Sequence, residues 1–113
     1  VWEAIKAEEI LSQKGIDAEI INIHTIKPLD EKAVIQSVRK TKCAVSAEEH
    51  NKFGGLGESI SHILTKEFPT PLEMVAVNDT FGESGTPEAL MRKYGLDAEH
   101  IVVQAEKVIK RRG

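Results

Sequence analysis

The sequence predicts an α/β domain: a mainly parallel sheet with helices on both faces. Two observations predict it. Segments with apolar residues at helical spacing alternate with short β-branched runs. Glycine or proline stands at most of the junctions between them, as at Gly15, Pro28, Pro69, Pro71 and Gly95. The whole chain of 113 residues reads as one domain, residues 1–113. A chain of this size buries roughly two-thirds of its unfolded surface, enough for one core.

The elements follow in order. Residues 1–14 form an expected helix with an apolar stripe of Trp2, Ala4, Ile5, Ala7, Ile10 and Leu11, stopped by Gly15. Trp2 is expected to anchor a core or an interface. Residues 18–24 are an expected strand, because Ile20, Ile21 and Ile23 are nearly continuous, as in a strand covered on both faces. Asp30 is a cap for a second helix over 31–40, with Ala33, Val34 and Val38 on its inner side. Residues 43–47 make a short buried strand. A glycine loop, Gly54-Gly55-Leu56-Gly57, leads into a helix over 56–67 that presents Ile60, Ile63 and Leu64. Residues 72–77 are a third strand. Thr86-Pro87-Glu88 starts a helix that Gly95 ends, and Asp97 caps a last helix over 98–112. Val1 lies inside a helical pattern with no cap and no strand ahead of it, whereas a βαβ unit places a strand there. The expectation is a domain without its first strands, whose open sheet edge invites pairing.

Composition excludes several classes. Apolar residues are 41% and charged residues 29%, with a net charge of −3. No apolar run approaches the ~18 residues of a membrane span. The basic tail of Lys107, Lys110, Arg111 and Arg112 reads as the favourable last turn of a helix, not as a nucleic-acid surface. The single cysteine, Cys43, can form no internal disulfide, in keeping with a cytoplasmic protein.

Three polar clusters directly follow the expected strands: His24-Thr25, Glu48-Glu49-His50-Asn51 and Asn78-Asp79-Thr80. In a parallel sheet all three lie along the carboxyl edge, where ligands bind. His24, Glu48, Glu49, His50, Asn78 and Asp79 are therefore the candidate residues for a ligand or an interface. Histidines and carboxylates together can hold a divalent metal or move protons. Yet strand ends carry polar residues simply because they reach solvent, and the spacing matches no metal motif. The glycine loop could hold an anion on the following helix. It lacks both the dinucleotide and the P-loop pattern, and reads as a tight turn with close helix packing. Ser59 and Ser84 lack the nucleophile elbow. Cys43 reads as an inert packed thiol. His62 and His100 read as surface or packing residues. No catalytic, cofactor-binding or metal residue is assigned.

The segment His24-Thr25-Ile26-Lys27-Pro28-Leu29-Asp30 with Asn22, the stretch Ser46-Ala47-Glu48-Glu49-His50 followed by Phe53-Gly54-Gly55-Leu56-Gly57, and the block from Asp79 to Glu88 with Lys93-Tyr94-Gly95-Leu96 together resemble the C-terminal domain of the transketolase family. The likeness is greatest to the C-terminal subunit of split transketolases. It implies a three-layer, Rossmann-like α/β/α domain whose first two strands precede the helix that opens this chain. It also implies a full enzyme that moves a ketol unit between sugar phosphates with thiamine diphosphate and a divalent metal. Both would be held by other domains, with this domain inactive alone and serving assembly. The partners implied are the thiamine-binding domains or subunit and further copies of the enzyme, with no nucleic acid and no membrane. Deoxyxylulose-5-phosphate synthase and the beta chain of 2-oxoacid decarboxylases, which dock an acyltransferase core, share the domain. A free-standing small-ligand or metal-binding domain is the remaining reading.

Overall fold

The computed structural model describes residues 2–23, 30–50, 53–77 and 86–112, without the side chains of Trp2, Leu90, Met91 and Tyr94. The elements are α1 (Trp2–Gln13), α2 (Glu31–Thr41), β1 (Ala44–Glu49), α3 (Gly55–Glu67), β2 (Leu72–Val77) and α4 (Pro87–Arg111).

Local chemistry sets most of these bounds. Gly15 takes φ +78° just past α1, a conformation that spares glycine the Cβ penalty. The Asp30 side chain accepts from the Ala33 N–H at 3.1 Å and starts α2. Lys42 closes that helix in the left-handed region, at φ 66°. Thr86 caps α4 by accepting from the Ala89 N–H, with Pro87 at the first helical position. Lys110 and Arg111 form its basic last turn, as the sequence suggested.

β1 and β2 pair in parallel, with Ala44 opposite Leu72 and Glu49 opposite Val77. Side chains alternate across this two-stranded sheet. On one side, Val75 and Val77 pack with Ala7 and Leu11 of α1 and with Ala98, Ile101, Val102 and Ala105 of α4. On the other, Val34 and Val38 of α2 meet Ile60 and Leu64 of α3. Helices therefore cover both faces, as a parallel sheet requires. The doubly covered α/β class holds.

Four expectations need correction. Residues 16–23 lie outside any helix or sheet ladder, where a strand over 18–24 was expected. A strand exists by virtue of its neighbour, and among the described residues the sheet has two strands only. Ile20 and Ile21 are correspondingly exposed. Next, β1 extends to Glu49, so Glu48 and Glu49 belong to the strand and not to the loop after it. Finally, the expected pair of helices over 86–95 and 98–112 is one helix of 25 residues. Asp97 is no cap; it is buried within that helix, at 3% exposure. Burial of Ala98, Ile101, Val102 and Val108 against the rest of the core outweighs the ~1 kcal/mol cost of a helical glycine. The α1 stripe is also rotated slightly from expectation: Ala7 and Leu11 are buried and Ile5 is exposed.

A Cβ built on Gly95 meets nothing within 4 Å. Gly95→Ala should therefore raise stability by about 0.5–1 kcal/mol in urea titration. A loss of stability would show that the helix is interrupted there.

Candidate functional site

Of the sequence-derived candidates, His24, Asn78 and Asp79 lie outside the described residues, as do Thr25, Asn51 and Thr80. Glu48, Glu49 and His50 can be placed. They fall at the carboxyl end of β1, beside the start of α3.

Glu48 occupies that helix start. Its carboxylate accepts from the Gly54 N–H at 3.2 Å, the Leu56 N–H at 2.6 Å and the Gly57 N–H at 3.1 Å. The first turn of a helix leaves its N–H groups without intrahelical partners, and the dipole there favours a negative charge. No side chain at the cap position itself can serve, because that residue is Gly54 at φ +103°. A residue of the preceding strand thus supplies what the cap position omits. Glu48 is 7% exposed, so these bonds work with little competition from water.

The glycine pattern follows from the same contact. Gly54 bends the chain where side chains are strained. Gly57 lets α3 sit directly on the sheet: a Cβ there would lie 2.4 Å from Met74 Sδ and 3.1 Å from Ser46 Oγ. Close packing is therefore the role of this loop, as the sequence suggested. Its anion seat is already filled by the protein's own carboxylate. A second anion there would meet Glu48 at short range.

Glu49 is half-buried, on the opposite side of the strand from Glu48, and has interactions of its own. His50 is exposed, and its carbonyl accepts from the Phe53 N–H at 3.3 Å. Adjacent residues in a strand point to opposite faces, which is why the Glu48-Glu49 pair does not converge. Among the described residues no three His, Cys, Asp or Glu side chains gather as a metal site. His62 and His100 are exposed on helices. Cys43 is half-buried just ahead of β1, with its Sγ 3.7 Å from the Thr41 carbonyl. No described helix is long and apolar enough to cross a membrane.

The sequence reading missed one feature. A groove of about 350 Å³ runs through the sheet layer between residues 16–23 and β1, with α1 on one side and α2 on the other. The unpaired isoleucines were its signal.

These features define a class: a doubly covered parallel α/β domain whose carboxyl-edge acid is spent on capping a helix. Comparison with known proteins places it further. Residues 1–101 match the family model "Transketolase, C-terminal domain", and the chain belongs to that family. It is 45% identical over 112 residues to a 6-deoxy-6-sulfo-D-fructose transketolase subunit of Clostridium sp. (strain MSTE9), covering 99% of this chain and 35% of that protein. It is 35% identical to a 1-deoxy-D-xylulose-5-phosphate synthase of Desulforudis audaxviator, covering 96% of this chain and 18% of that one. A solved structure titled "Split gene transketolase, inactive beta4 tetramer" superposes with a TM-score of 0.78 at 40% identity, over 98% of this chain and 36% of that one. The chain thus spans about a third of its subunit-sized relatives.

Two substitutions test the capping geometry. Glu48→Ala should cost about 2–4 kcal/mol in denaturant unfolding, because it strands three N–H donors. Glu48→Gln should cost less, since one acceptor remains. Gly57→Ala should cost about 1–3 kcal/mol, and Met74→Ala in the same chain should recover part of that loss, because the main obstruction is Met74.

Proposed function

We propose that this chain is the C-terminal, non-catalytic part of a split-type transketolase, serving subunit assembly and stability in a cytoplasmic enzyme. The full assembly would transfer a ketol unit between sugar phosphates. The observation that carries the reading is the use of Glu48. The strand-edge carboxylate best placed to act as a base or ligand instead holds three backbone N–H groups. The whole-chain likeness to split transketolase subunits gives the reading its enzyme.

Thiamine diphosphate and its metal belong to the other domains in this reading. The described residues offer them a poor fit. The one glycine-rich helix start that could receive a pyrophosphate presents a buried carboxylate there, and no metal-binding cluster adjoins it. When bound elsewhere, the cofactor supplies the carbanion chemistry of ketol transfer. This chain's residues hold the domain together. The partner is the thiamine-binding part of the same enzyme, together with further copies of the assembly.

The deciding experiment is complementation. The thiamine-binding domains are assayed for ketol transfer from a ketose phosphate to an aldose phosphate, with and without this domain. Together they should turn over; the 113-residue chain alone should not. Transfer by the chain alone would overturn the proposal. A second reading, synthesis of deoxyxylulose 5-phosphate, is favoured by the synthase relative. Product formation from pyruvate and glyceraldehyde 3-phosphate by the same reconstituted enzyme would decide for it.

A further inference from the structure

The far side of the sheet, beyond β2, presents backbone. The Ala44 N–H donates to the Pro71 carbonyl at 3.0 Å, and Ala44 lies opposite Leu72. In a parallel ladder this turns the backbone groups of Glu73 and Val75 toward β1, and those of Leu72, Met74 and Ala76 outward. Arg111 bears out the direction, since its Nη1 reaches from α4 to donate to the Leu72 carbonyl at 3.3 Å. Among the described residues no strand lies beyond β2. Met74, Val75 and Ala76 instead line a cleft of about 320 Å³ whose other wall is His100, Val103 and Gln104 of α4. An edge with outward N–H and C=O groups is a template for another strand.

The neighbouring side of α4 is exposed. Leu96, His100, Val103 and Lys107 recur at spacings of four, three and four, the seam spacing of packed helices. Leu96 is 55% and Val103 58% exposed, although Ala98, Ile101, Val102 and Ala105 of the same helix are core. Glu99 and Lys107 stand four residues to either side of Val103, and neither has an ion pair among the described residues. Opposite charges equidistant from an apolar centre are self-complementary under a two-fold axis. Glu99 then comes level with Lys107 of the copy, and Lys107 with its Glu99. The layer dimensions agree. α4 packs on both strands, in one cluster with Val45, Val75 and Val77, so it stands over the space between them. When two β2 strands pair at roughly 4.8 Å, their α4 helices come to lie two strand spacings apart. That is roughly 10 Å, the distance at which helices pack.

We propose that the outer edge of β2 and the exposed stripe of α4 form one interface with a second copy of this chain. β2 pairs antiparallel with its copy about a two-fold axis at Val75, so that the N–H and C=O of Met74 meet those of Ala76 in the copy. α4 lies antiparallel to its copy across the same axis, with Val103 at the centre. Val75 and Val103 line one cleft, so a single axis serves both layers. Leu72 stays outside the new ladder, where Arg111 already holds its carbonyl. The pairing rests on this face alone, and ketol transfer by a reconstituted enzyme is a separate question.

Sedimentation velocity of the 113-residue chain over a range of concentrations tests the pairing. A monomer–dimer equilibrium is expected. Val103→Glu sets two carboxylates on the axis and should weaken the dimer about tenfold or more. Glu99→Lys and Lys107→Glu should each weaken it about threefold or more. An equimolar mixture of those two variants should pair as the parent does, because each supplies the charge that the other lacks. All three residues are exposed, so the circular dichroism spectrum should not change. Amide exchange at Met74 and Ala76 should slow about tenfold between dilute and dimer-forming conditions. A chain still monomeric at about 1 mM would overturn the proposal. So would a dimer that keeps its strength in Val103→Glu, or one whose protection falls on residues 16–23 and β1 in place of β2.

Discussion

The junction of β1 and α3 depends on one charge: the Glu48 carboxylate set against the first turn of α3. That turn has no capping side chain of its own, because glycine occupies the cap position. Glycine is needed there for the sharp approach from β1, and a second glycine, Gly57, is needed for the close seat of α3 on Ser46 and Met74. A loop that gives up its local cap must draw one from elsewhere. The neighbouring strand supplies it, so the α3 start and the β1 end are fixed to each other by three hydrogen bonds. Hydrogen bonds to a charged group contribute more than neutral ones, and here the alternative is a set of buried, unpaired donors. The motif is therefore one structural unit spread over ten residues, held by a charge at its centre.

The same economy does not extend across the sheet. α1 and α4 form one apolar cluster with β2, and α2 and α3 form another. The two paired strands separate them at one side, and the groove separates them at the other. Domains are built as layers around a continuous core. Among the described residues the sheet has two strands, and Ile20 and Ile21 are exposed. Polar contacts at the rim, such as Lys40 to Glu19 at 2.8 Å and Lys14 to Glu106 at 2.6 Å, hold the outer segments in place. They are exposed pairs, each worth little beside apolar burial.

The sequence made the class and most of the elements legible. Asp30, Thr86, Pro87 and Gly15 mark boundaries through fixed local chemistry, and each acts where it was expected to. Ile60, Ile63 and Leu64 are buried as their spacing requires. What was not legible depends on distant partners. Glu48 and Glu49 look like an identical pair in the sequence. Only the run of β1 through both of them turns one toward α3 and the other away. Gly95 looks like a stop, but packing along α4 carries the helix through it. The isoleucine-rich segment after Gly15 has every property of a strand except a neighbour. Pattern can specify which faces of a segment are apolar, but a ladder needs a second backbone.

That distinction bears on what the chain does. Of the placed residues of the carboxyl edge, Glu48 is committed to a helix cap, while the groove between residues 16–23 and β1 is lined largely by apolar side chains. The acid that the sequence marked for chemistry serves packing, in a domain of the transketolase C-terminal family.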